Sequence, residues 1–366
     1  MRAAVLEESQ ARLTVVDDVD VDGPRPGEVL VRVSHCGVCH SDLSVANGTY
    51  PLLGPTVLGH EAAGTVEAVG DGVASVAPGD GVVLSPIATC GTCYWCVRGE
   101  YGCCVNASAV LTGTFVDGRS PLSRAGMPVL RGLGVGGFAQ YAVVAEPGAV
   151  KVPDDTPLEV ACVVGCAVQT GVGAVLNTAR VEEGATVLVA GAGGVGIAIT
   201  QGARLAGAAT IVVSDPVEER RAAAREFGAT HVVDPGADDV VARAREITAG
   251  VGVDYAFEAV GSAALVEACM LATRAGGTTV MVGAAPFDQT LTLGPAVVVM
   301  ASERKIVGSF LGSCNSRRDI PRLLALWRAG RLDLESMVTR RRPLDEVNDA
   351  FADLTATLGI RTVLSL

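Results

Sequence analysis

Apolar and polar positions divide the chain into two regions with different periodicities. Between about residues 160 and 300, apolar runs alternate with helical patterns, and polarity does not alternate within a run. Such runs are typical of parallel strands that are buried on both faces. The pattern therefore predicts a doubly wound parallel sheet. Its strands are expected at 185–190, 210–214, 230–233, 253–257, 278–282 and 305–310, with helices that include 195–206, 217–227 and 262–274.

The first part of the chain, up to about residue 150, follows a different pattern. Short β-branched runs are separated by turn-forming clusters of Gly, Pro and Asp, which predicts a mostly β domain that folds into a barrel. One segment, 105–137, has little periodicity and many glycines, so we expect a long loop with a functional or interface role. The β-branched runs are at 11–16, 28–33, 62–69 and 80–84.

The C-terminal segment, 313–366, contains two helical patterns and a closing strand, and it completes neither region alone. We expect it to rejoin the first region. The predicted domains are a mostly β domain formed by 1–167 and 309–366 and a parallel-sheet domain formed by 168–308. A chain of 366 residues exceeds the size that one core usually serves, which agrees with two domains.

A glycine-rich turn follows the first strand of the parallel-sheet region. Gly191, Gly193 and Gly196 lie in G-x-G-x-x-G register between the strand 185–190 and the helix 195–206. In a dinucleotide-binding turn, the first glycine permits the tight turn and the second lets the backbone approach a pyrophosphate. The third lets the helix pack closely on the strand. This order of strand, turn and helix predicts a Rossmann-type dinucleotide site.

The residues around the turn refine that prediction. Gly194 and Val195 open the helix, whose free N–H groups would hold the pyrophosphate. Asp215 ends the next strand and would accept hydrogen bonds from both hydroxyls of an adenosine ribose. Because its charge would repel a 2′-phosphate, the predicted cofactor is NAD and not NADP.

Composition and charge exclude several classes of protein. Apolar residues make up 49% of the chain, which is ample for packed cores and excludes a disordered chain. The chain has no run of about 20 apolar residues, and its N-terminus lacks the apolar stretch of a secretory signal. We therefore expect a soluble, cytoplasmic protein. The net charge of −12 argues against nucleic acid or an anionic membrane as a partner.

Cysteine spacing indicates metal binding. The chain has 11 cysteines, an odd number that does not fit a disulfide framework. Four of them form the pattern C-x2-C-x2-C-x7-C, which predicts a closed structural zinc site. On spacing alone, Cys103 could replace the last of the four. The predicted ligands are Cys90, Cys93, Cys96 and Cys104.

A second set of possible ligands is spread along the chain. A three-ligand site could be formed by Cys39 (with Cys36 nearby), His60, and either Cys162 or Cys166. Such a site leaves zinc a fourth position, as a catalytic zinc requires. Spacing alone does not establish it, because buried cysteines usually just pack in the core.

Six stretches, in this order, resemble the zinc-dependent medium-chain alcohol dehydrogenase family: CGVCHSD, GHEAAGTVEAVG, the four-cysteine loop, GCAVQTG, GAGGVG and the ending GIRTVLSL. The resemblance covers essentially the whole chain. It implies a GroES-like catalytic barrel beside the Rossmann domain, with one structural and one catalytic zinc. The implied catalytic ligands are Cys39, His60 and Cys166. Cys166 is preferred to Cys162 because it stands in the family's register before Thr170.

The resemblance also implies roles for residues around these ligands. Asp42 and Glu61 would lie behind the ligands, where a carboxylate fixes the tautomer of His60. Ser41 matches the hydroxyl that relays the alcohol proton. His40 and Arg361 match cations that contact the pyrophosphate in the family. Arg220 matches a basic residue near the ribose, and Thr170 matches a residue beside the nicotinamide. Val282 is also predicted to contact the cofactor.

Some stretches depart from the family pattern. Many members have a histidine shortly after the relay serine, where this chain offers Ser44. No arginine follows the structural cysteines, which disfavours glutathione-dependent formaldehyde dehydrogenase activity. The length of 105–137 resembles the dimeric members, so we expect a homodimer. The substrate pocket is expected to draw on Pro86, on 105–137 and on 282–287, whose apolar character suggests hydrophobic alcohols.

The expected function is that of a zinc- and NAD-dependent alcohol dehydrogenase acting on small alcohols and their aldehydes or ketones. One alternative is a variant whose NAD never leaves and is recycled by an external electron acceptor. A non-catalytic NAD- and zinc-binding regulator is a second alternative. It is disfavoured because Cys39, Ser41, His60 and Cys166 are all intact.

Overall fold

A computed structural model describes all 366 residues. The chain separates into two compact units, which we call the β-rich unit and the parallel-sheet unit. The β-rich unit contains Met1–Gln169 and Cys314–Leu366, and the parallel-sheet unit contains Thr170–Ser313. No single helix is both long and apolar enough to span a membrane. The adjacent segments Leu158–Gly165 and Ala167–Ala179 meet that test only as a broken pair.

The strands are numbered in chain order. The first eleven are β1 (Ala3–Leu6), β2 (Thr14–Val16), β3 (Val19–Val21), β4 (Glu28–Val38), β5 (Thr56–Val57), β6 (Glu61–Val69), β7 (Gly81–Leu84), β8 (Leu122–Arg124), β9 (Met127–Arg131), β10 (Tyr141–Ala145) and β11 (Ala149–Lys151). The others are β12 (Thr186–Ala190), β13 (Thr210–Ser214), β14 (His231–Val233), β15 (Val253–Glu258), β16 (Thr273–Met281), β17 (Lys305–Gly308), β18 (Val338–Pro343) and β19 (Arg361–Ser365).

The α-helices are numbered in the same way. They are α1 (His40–Ala46), α2 (Ala109–Thr112), α3 (Leu158–Ala161), α4 (Ala167–Gly173), α5 (Gly194–Leu205), α6 (Glu218–Glu226), α7 (Val240–Ile247), α8 (Ala263–Ala272), α9 (Ala296–Ser302), α10 (Ser316–Arg328) and α11 (Val347–Thr355).

The β-rich unit is built from two mostly antiparallel sheets. One has the strand order β2-β1-β5-β9-β8-β3, and the other has the order β11-β7-β6-β4-β19-β18, with β10 also paired to β4. The long strand β4 pairs with β6 so that Gly37 lies opposite Glu61. This register places the residues that follow β4 beside those that precede β6, which is where two predicted metal ligands occur.

The parallel-sheet unit has the strand order β14-β13-β12-β15-β16-β17, and all of its pairs are parallel. The chain runs from β12 outward to β14 and then returns to β15, so the direction of winding changes between β12 and β15. Ala190 and Glu258, the last residues of these strands, lie opposite each other. Ligands of doubly wound folds bind at the carboxyl ends of the strands at such a switch point. The predicted doubly wound sheet is confirmed.

The segment 105–137 is not the long loop that the sequence predicts. It contains α2 and the antiparallel strands β8 and β9, and β9 also pairs in parallel with β5. Both strands are short, β9 carries Pro128, and glycines surround them. Neither strand therefore shows the alternation of polarity that reveals a half-buried strand.

Candidate metal centres and dinucleotide-binding turn

Three of the predicted metal ligands converge in the β-rich unit. The ligand atoms of Cys39, His60 and Cys166 all lie within 4.8 Å of one another. Cys39 follows β4 and His60 precedes β6, so the pairing of these strands brings the two together. Cys166 lies immediately before α4. Two sulfurs and one imidazole are a donor set that suits zinc and leaves a fourth position open.

Asp42 fixes the orientation of His60. Its carboxylate is fully buried, lies 3.1 Å from Nδ1 of His60 and accepts the N–H of Gly59 at 2.8 Å. This arrangement commits Nδ1 to a hydrogen bond and leaves Nε2 available to a metal. Burial alone would lower the pKa of His60, but Asp42 and Cys39 outweigh it and raise that pKa well above its usual value. The carboxylate therefore makes the imidazole a stronger donor.

The sulfur of Cys39 is prepared for metal binding. A hydrogen bond with Cys166 and the nearby His60 hold the pKa of Cys39 well below its usual value, although burial opposes them. Thiolate is the form of cysteine that binds metals. Cys36, the alternative on spacing, lies inside β4, and burial raises its pKa well above the usual value. The geometry and the charges thus favour Cys39 over Cys36 as the ligand.

A buried ion pair lies behind the three ligands. Glu61 accepts the N–H of Ala167 at 3.0 Å, and its other oxygen lies 3.6 Å from Nε of Arg361. Burial raises the pKa of Glu61 to about 7, against the opposing effect of Arg361. Arg361 also donates to the carbonyl of Val38 at 2.9 Å. The structure therefore places the predicted pyrophosphate cation against Glu61, next to the residue that follows Cys166.

One polar side chain lies close to Cys39, and the charge of Cys39 acts on a second one. The hydroxyl of Ser41 lies 3.9 Å from its sulfur, on the first turn of α1, whose first residue is the exposed His40. Tyr50 was missed by the sequence analysis. Its pKa is raised by burial and by the charge of Cys39. No motif marks Tyr50, and only the fold of the segment after α1 reveals its position.

The four-cysteine cluster forms a second candidate metal site. The sulfurs of Cys90, Cys93, Cys96 and Cys104 lie within 4.8 Å of one another. The N–H groups of Cys90 and Cys93 donate to the sulfurs of Cys104 and Cys90, each at 3.3 Å. Cys103 is exposed and lies outside the cluster. The geometry therefore favours Cys104 over Cys103, the alternative that spacing left open.

We expect Cys104→Ser to lose one of two bound zinc ions and to destabilise the β-rich unit. Structural zinc contributes about 10–16 kcal/mol in zinc-finger peptides, and a loss of about 4 kcal/mol would lower the Tm by about 10 °C. Cys103→Ser is the matched control, because this exposed neighbour should change stability by less than about 0.5 kcal/mol. Metal analysis and thermal denaturation of both variants test this. Equal zinc content in the two would contradict the assignment.

The glycine-rich turn of the parallel-sheet unit has the geometry that its sequence predicts. Gly191 has φ +99°, in the region that favours glycine. A Cβ on Gly196 would lie 1.8 Å from the carbonyl oxygen of Gly191, so the close approach of α5 to the turn requires glycine. Apart from its chain neighbours, no protein atom lies within 4 Å of a Cβ built on Gly193. The turn thus fits a pyrophosphate at Gly193, on the N–H groups of Gly194 and Val195.

Asp215 has a structural task in addition to the predicted one. Its buried carboxylate accepts the N–H of Ala192 at 2.7 Å and that of Val217 at 2.9 Å. It therefore holds the glycine-rich turn and the start of the next loop in place. Each carboxylate oxygen can accept a further hydrogen bond, so the ribose role remains open to it. Arg220 lies buried on α6, in the same part of the chain.

Glu258 is a second residue that the sequence analysis missed. It ends β15, is 1% exposed, and its Oε1 accepts the N–H groups of Val260 and Gly261, each at 2.8 Å. Its Oε2 has no partner, and burial raises its pKa. Val260 packs where a Cβ on Gly191 would lie. Glu258 thus shapes the switch point. Like Asp215, it lies at the end of a parallel strand, and this position is the sequence signal that could have identified it.

The remaining predicted cofactor residues occupy separate elements of the parallel-sheet unit. Thr170 is buried on α4. Val282 follows β16, and its N–H donates to the carbonyl of Glu258 at 2.9 Å. The residue after β16 is therefore tied to the residue that ends β15, at the edge of the sheet where ligands of this fold bind.

Family comparisons agree with this geometry. Residues 25–154 match the alcohol dehydrogenase GroES-like domain, and residues 194–328 match the zinc-binding dehydrogenase family. A putative alcohol dehydrogenase D of Mycobacterium tuberculosis is 40% identical over 365 residues, covering 99% of this chain and 98% of that one. An NDMA-dependent alcohol dehydrogenase of Amycolatopsis methanolica is 39% identical, with 99% and 98% covered. An S-(hydroxymethyl)glutathione dehydrogenase of Haemophilus influenzae is 37% identical, with 99% and 96% covered.

Solved structures show the same similarity. An alcohol dehydrogenase zinc-binding domain protein from Burkholderia ambifaria superposes with a TM-score of 0.94 at 38% identity, covering 100% of this chain and 98% of that one. Benzyl alcohol dehydrogenase from Acinetobacter calcoaceticus gives a TM-score of 0.93 at 32% identity, with 100% and 99% covered. The similarity thus extends over both units.

Proposed function

The chain belongs to the zinc-dependent medium-chain alcohol dehydrogenase family, and from this premise we propose that it interconverts small alcohols and their aldehydes or ketones with NAD. The observation that carries the proposal is the convergence of Cys39, His60 and Cys166, with Ser41 beside them. This cluster would hold the catalytic zinc, and the four-cysteine cluster would hold the structural zinc. The benzyl alcohol dehydrogenase relative supports an alcohol as the substrate class.

Each part of the site has a chemical task. Zinc supplies a Lewis acid that lowers the pKa of an alcohol, and NAD supplies the hydride acceptor. Asp42 holds His60 through Nδ1, so Nε2 would be the atom that binds the metal, while the buried Glu61 and Arg361 fix the surroundings of Cys166. The hydroxyl of Ser41, next to Cys39, accepts the alcohol proton and passes it on.

NAD would be held by the parallel-sheet unit. Its pyrophosphate would lie on the N-terminus of α5, where Gly193 leaves room, and Asp215 would accept the ribose hydroxyls. The charge of Asp215 disfavours a 2′-phosphate, which supports NAD over NADP. The further residues that we propose to contact the cofactor are Arg220, Thr170, Val282, His40 and Arg361.

A substrate panel with purified protein tests this function. We expect oxidation of primary or secondary alcohols with added NAD, and two zinc ions per chain, one for each cluster. The NDMA-dependent relative favours a second candidate, in which NAD stays bound and an external acceptor recycles it. Native mass spectrometry separates the two, because only the second predicts NAD on the freshly purified protein. No alcohol turnover with NAD or with a dye acceptor would contradict both.

We expect Ser41→Ala to slow alcohol turnover by about 100-fold while both zinc ions remain bound. A positioned proton-transfer group typically contributes about 10²–10⁴-fold to a rate. Steady-state kinetics and metal analysis of the variant check this result. This chain offers Ser44 where many family members have a histidine that extends the relay. Ser44→Ala is therefore the control, and it shows whether this neighbouring hydroxyl contributes. Full activity of Ser41→Ala would remove the relay role.

A homodimer is the proposed assembly. Strand β17 is an edge strand of the parallel sheet, and on the neighbouring α9 the side chains of Val297, Val298 and Met300 are exposed. An exposed edge strand beside apolar side chains suits pairing with a second copy about a two-fold axis. Light scattering should give twice the 37.2 kDa chain mass, and Val297→Glu should weaken the dimer. A tetrameric mass would overturn the dimer.

A further inference from the structure

Cys166, the third ligand of the candidate catalytic cluster, lies at a break between two helical segments. A short 3₁₀ turn, Cys162–Gly165, ends directly before it, and α4 begins directly after it. Its own φ of −138° and ψ of −73° are not helical, so the regular geometry of a helix does not fix the direction of its side chain. Other contacts therefore hold the backbone at this ligand.

Both peptide groups that flank Cys166 are held by buried side chains. The carbonyl of Gly165 belongs to the peptide group before Cys166 and accepts a hydrogen bond from Nε2 of Gln169. The N–H of Ala167 belongs to the peptide group after Cys166 and donates to Glu61 at 3.0 Å. The angles φ and ψ of a residue are the rotations between its two flanking peptide planes. Gln169 and Glu61 together therefore fix the direction of the Cα–Cβ bond of Cys166.

Gln169 is itself held by buried hydroxyl groups. It is fully buried, and its Oε1 accepts the hydroxyl of Ser316, the first residue of α10, at 2.9 Å. The hydroxyl of Ser85, which follows β7, lies 2.7 Å from that of Ser316, and both serines are buried. Because the oxygen of the amide faces Ser316, its NH₂ group faces the carbonyl of Gly165. The hydroxyl groups thus set which end of the amide meets the backbone at the ligand.

The backbone on both sides of the break is packed closely as well. A Cβ on Gly165 would lie 2.5 Å from the carbonyl oxygen of Leu84, so this approach to the end of β7 requires glycine. The carbonyl of Gln169 accepts the thiol of Cys314 at 3.3 Å. The end of β7, the start of α10 and the start of α4 thus meet at the residue before the ligand.

We propose that Gln169 is a positioning residue for the catalytic metal centre and directs the sulfur of Cys166 toward Cys39 and His60. The inference rests on the proposed function, in which these three residues hold the catalytic zinc. Side chains that orient metal ligands without touching the metal typically change metal affinity by about 10–100-fold when they are replaced. Loss of the Gln169 amide should therefore weaken metal binding at this cluster alone.

Removal of zinc by increasing concentrations of EDTA tests the proposal on the full-length protein, with the zinc per chain measured by metal analysis. The wild-type protein should lose two ions, and Cys166→Ala shows which loss belongs to the catalytic cluster. Gln169→Met keeps the size of the side chain but has no N–H to donate. We expect its catalytic ion to leave at an EDTA concentration at least about tenfold lower. The ion of the four-cysteine cluster should leave at the wild-type concentration.

Asn348→Leu is the matched control. The amide of Asn348 also makes two hydrogen bonds within the β-rich unit, both with the backbone of Leu13, at 2.8 and 3.0 Å. This variant loses similar contacts away from the metal clusters, so it should release both ions as the wild-type protein does. Equal effects of Gln169→Met and Asn348→Leu on the catalytic ion would reflect a general loss of stability and would overturn the positioning role.

Ser316→Ala keeps the proposal testable if circular dichroism shows that Gln169→Met does not fold. It removes only the hydroxyl that orients the amide, so the catalytic ion should leave at an EDTA concentration about threefold lower. Wild-type release of this ion from every folded variant would overturn the positioning role and leave the proposed function intact. A wild-type protein that holds no ion dependent on Cys166 would overturn both.

Discussion

Cys166→Ala is expected to remove one of the two zinc ions and to lower alcohol turnover by about 10³-fold or more. The variant leaves Cys39 and His60 as the only protein ligands of the catalytic cluster. Lewis-acid stabilisation by a metal is worth several kcal/mol, and about 1.4 kcal/mol corresponds to a factor of ten in rate. Metal analysis combined with steady-state kinetics measures both effects on one sample.

Cys162→Ala is the matched control for this variant. Cys162 is a neighbouring, fully buried cysteine whose thiol donates to the carbonyl of Glu159 at 3.2 Å, and burial raises its pKa. Its loss should cost about 1 kcal/mol of stability, a usual value for a buried substitution, and leave both metals bound. Loss of zinc from Cys162→Ala but not from Cys166→Ala would show that the ligand register is wrong.

The parallel sheet was predictable from the sequence because its strands are buried on both faces. Strands β12 to β15 begin and end within one residue of the predicted bounds. Strand β16 begins at Thr273, five residues before its apolar run, because its first half contains glycines and Arg274. Continuous apolar runs thus mark the buried part of a strand and not its full length.

The metal clusters were predictable only in part. Spacing left the choice open within three pairs of cysteines. The family resemblance selected one member in two of these pairs. The tertiary structure supplies a physical reason for each choice. Cys36 is held inside β4, Cys103 is exposed, and Cys162 donates to a backbone carbonyl. The other member of each pair converges with further ligands: Cys39, Cys104 and Cys166. Convergence depends on the pairing of β4 with β6, which no local pattern encodes.

Buried polar residues were the least predictable part of the molecule. Arg131 ends a strand that the sequence did not reveal, in a segment expected to contribute an apolar wall. A lone arginine in such a segment is usually exposed, so only the three-dimensional structure shows that it is buried. Glu258 differs, since the same strand-end rule that identified Asp215 applies to it.

Gly193→Ala should weaken NAD binding by about 100-fold, or about 2.8 kcal/mol, without destabilising the protein. Gly193 has φ −73° and ψ −171°, which alanine adopts freely, and apart from the chain neighbours no protein atom lies within 4 Å of the new methyl group. The substitution therefore changes only the space in which a pyrophosphate would lie against the backbone.

The control for this variant is Gly23→Ala, in the irregular segment between β3 and β4, where a Cβ also meets no atom within 4 Å apart from its chain neighbours. Each substitution should leave the Tm unchanged or slightly raised, because alanine restricts the unfolded chain more than glycine does. Fluorescence titration with NADH should then separate them, with a large loss of affinity in Gly193→Ala alone. Wild-type affinity in a folded Gly193→Ala would show that the pyrophosphate does not lie on this turn, and the assignment of the cofactor to the N-terminus of α5 would fail.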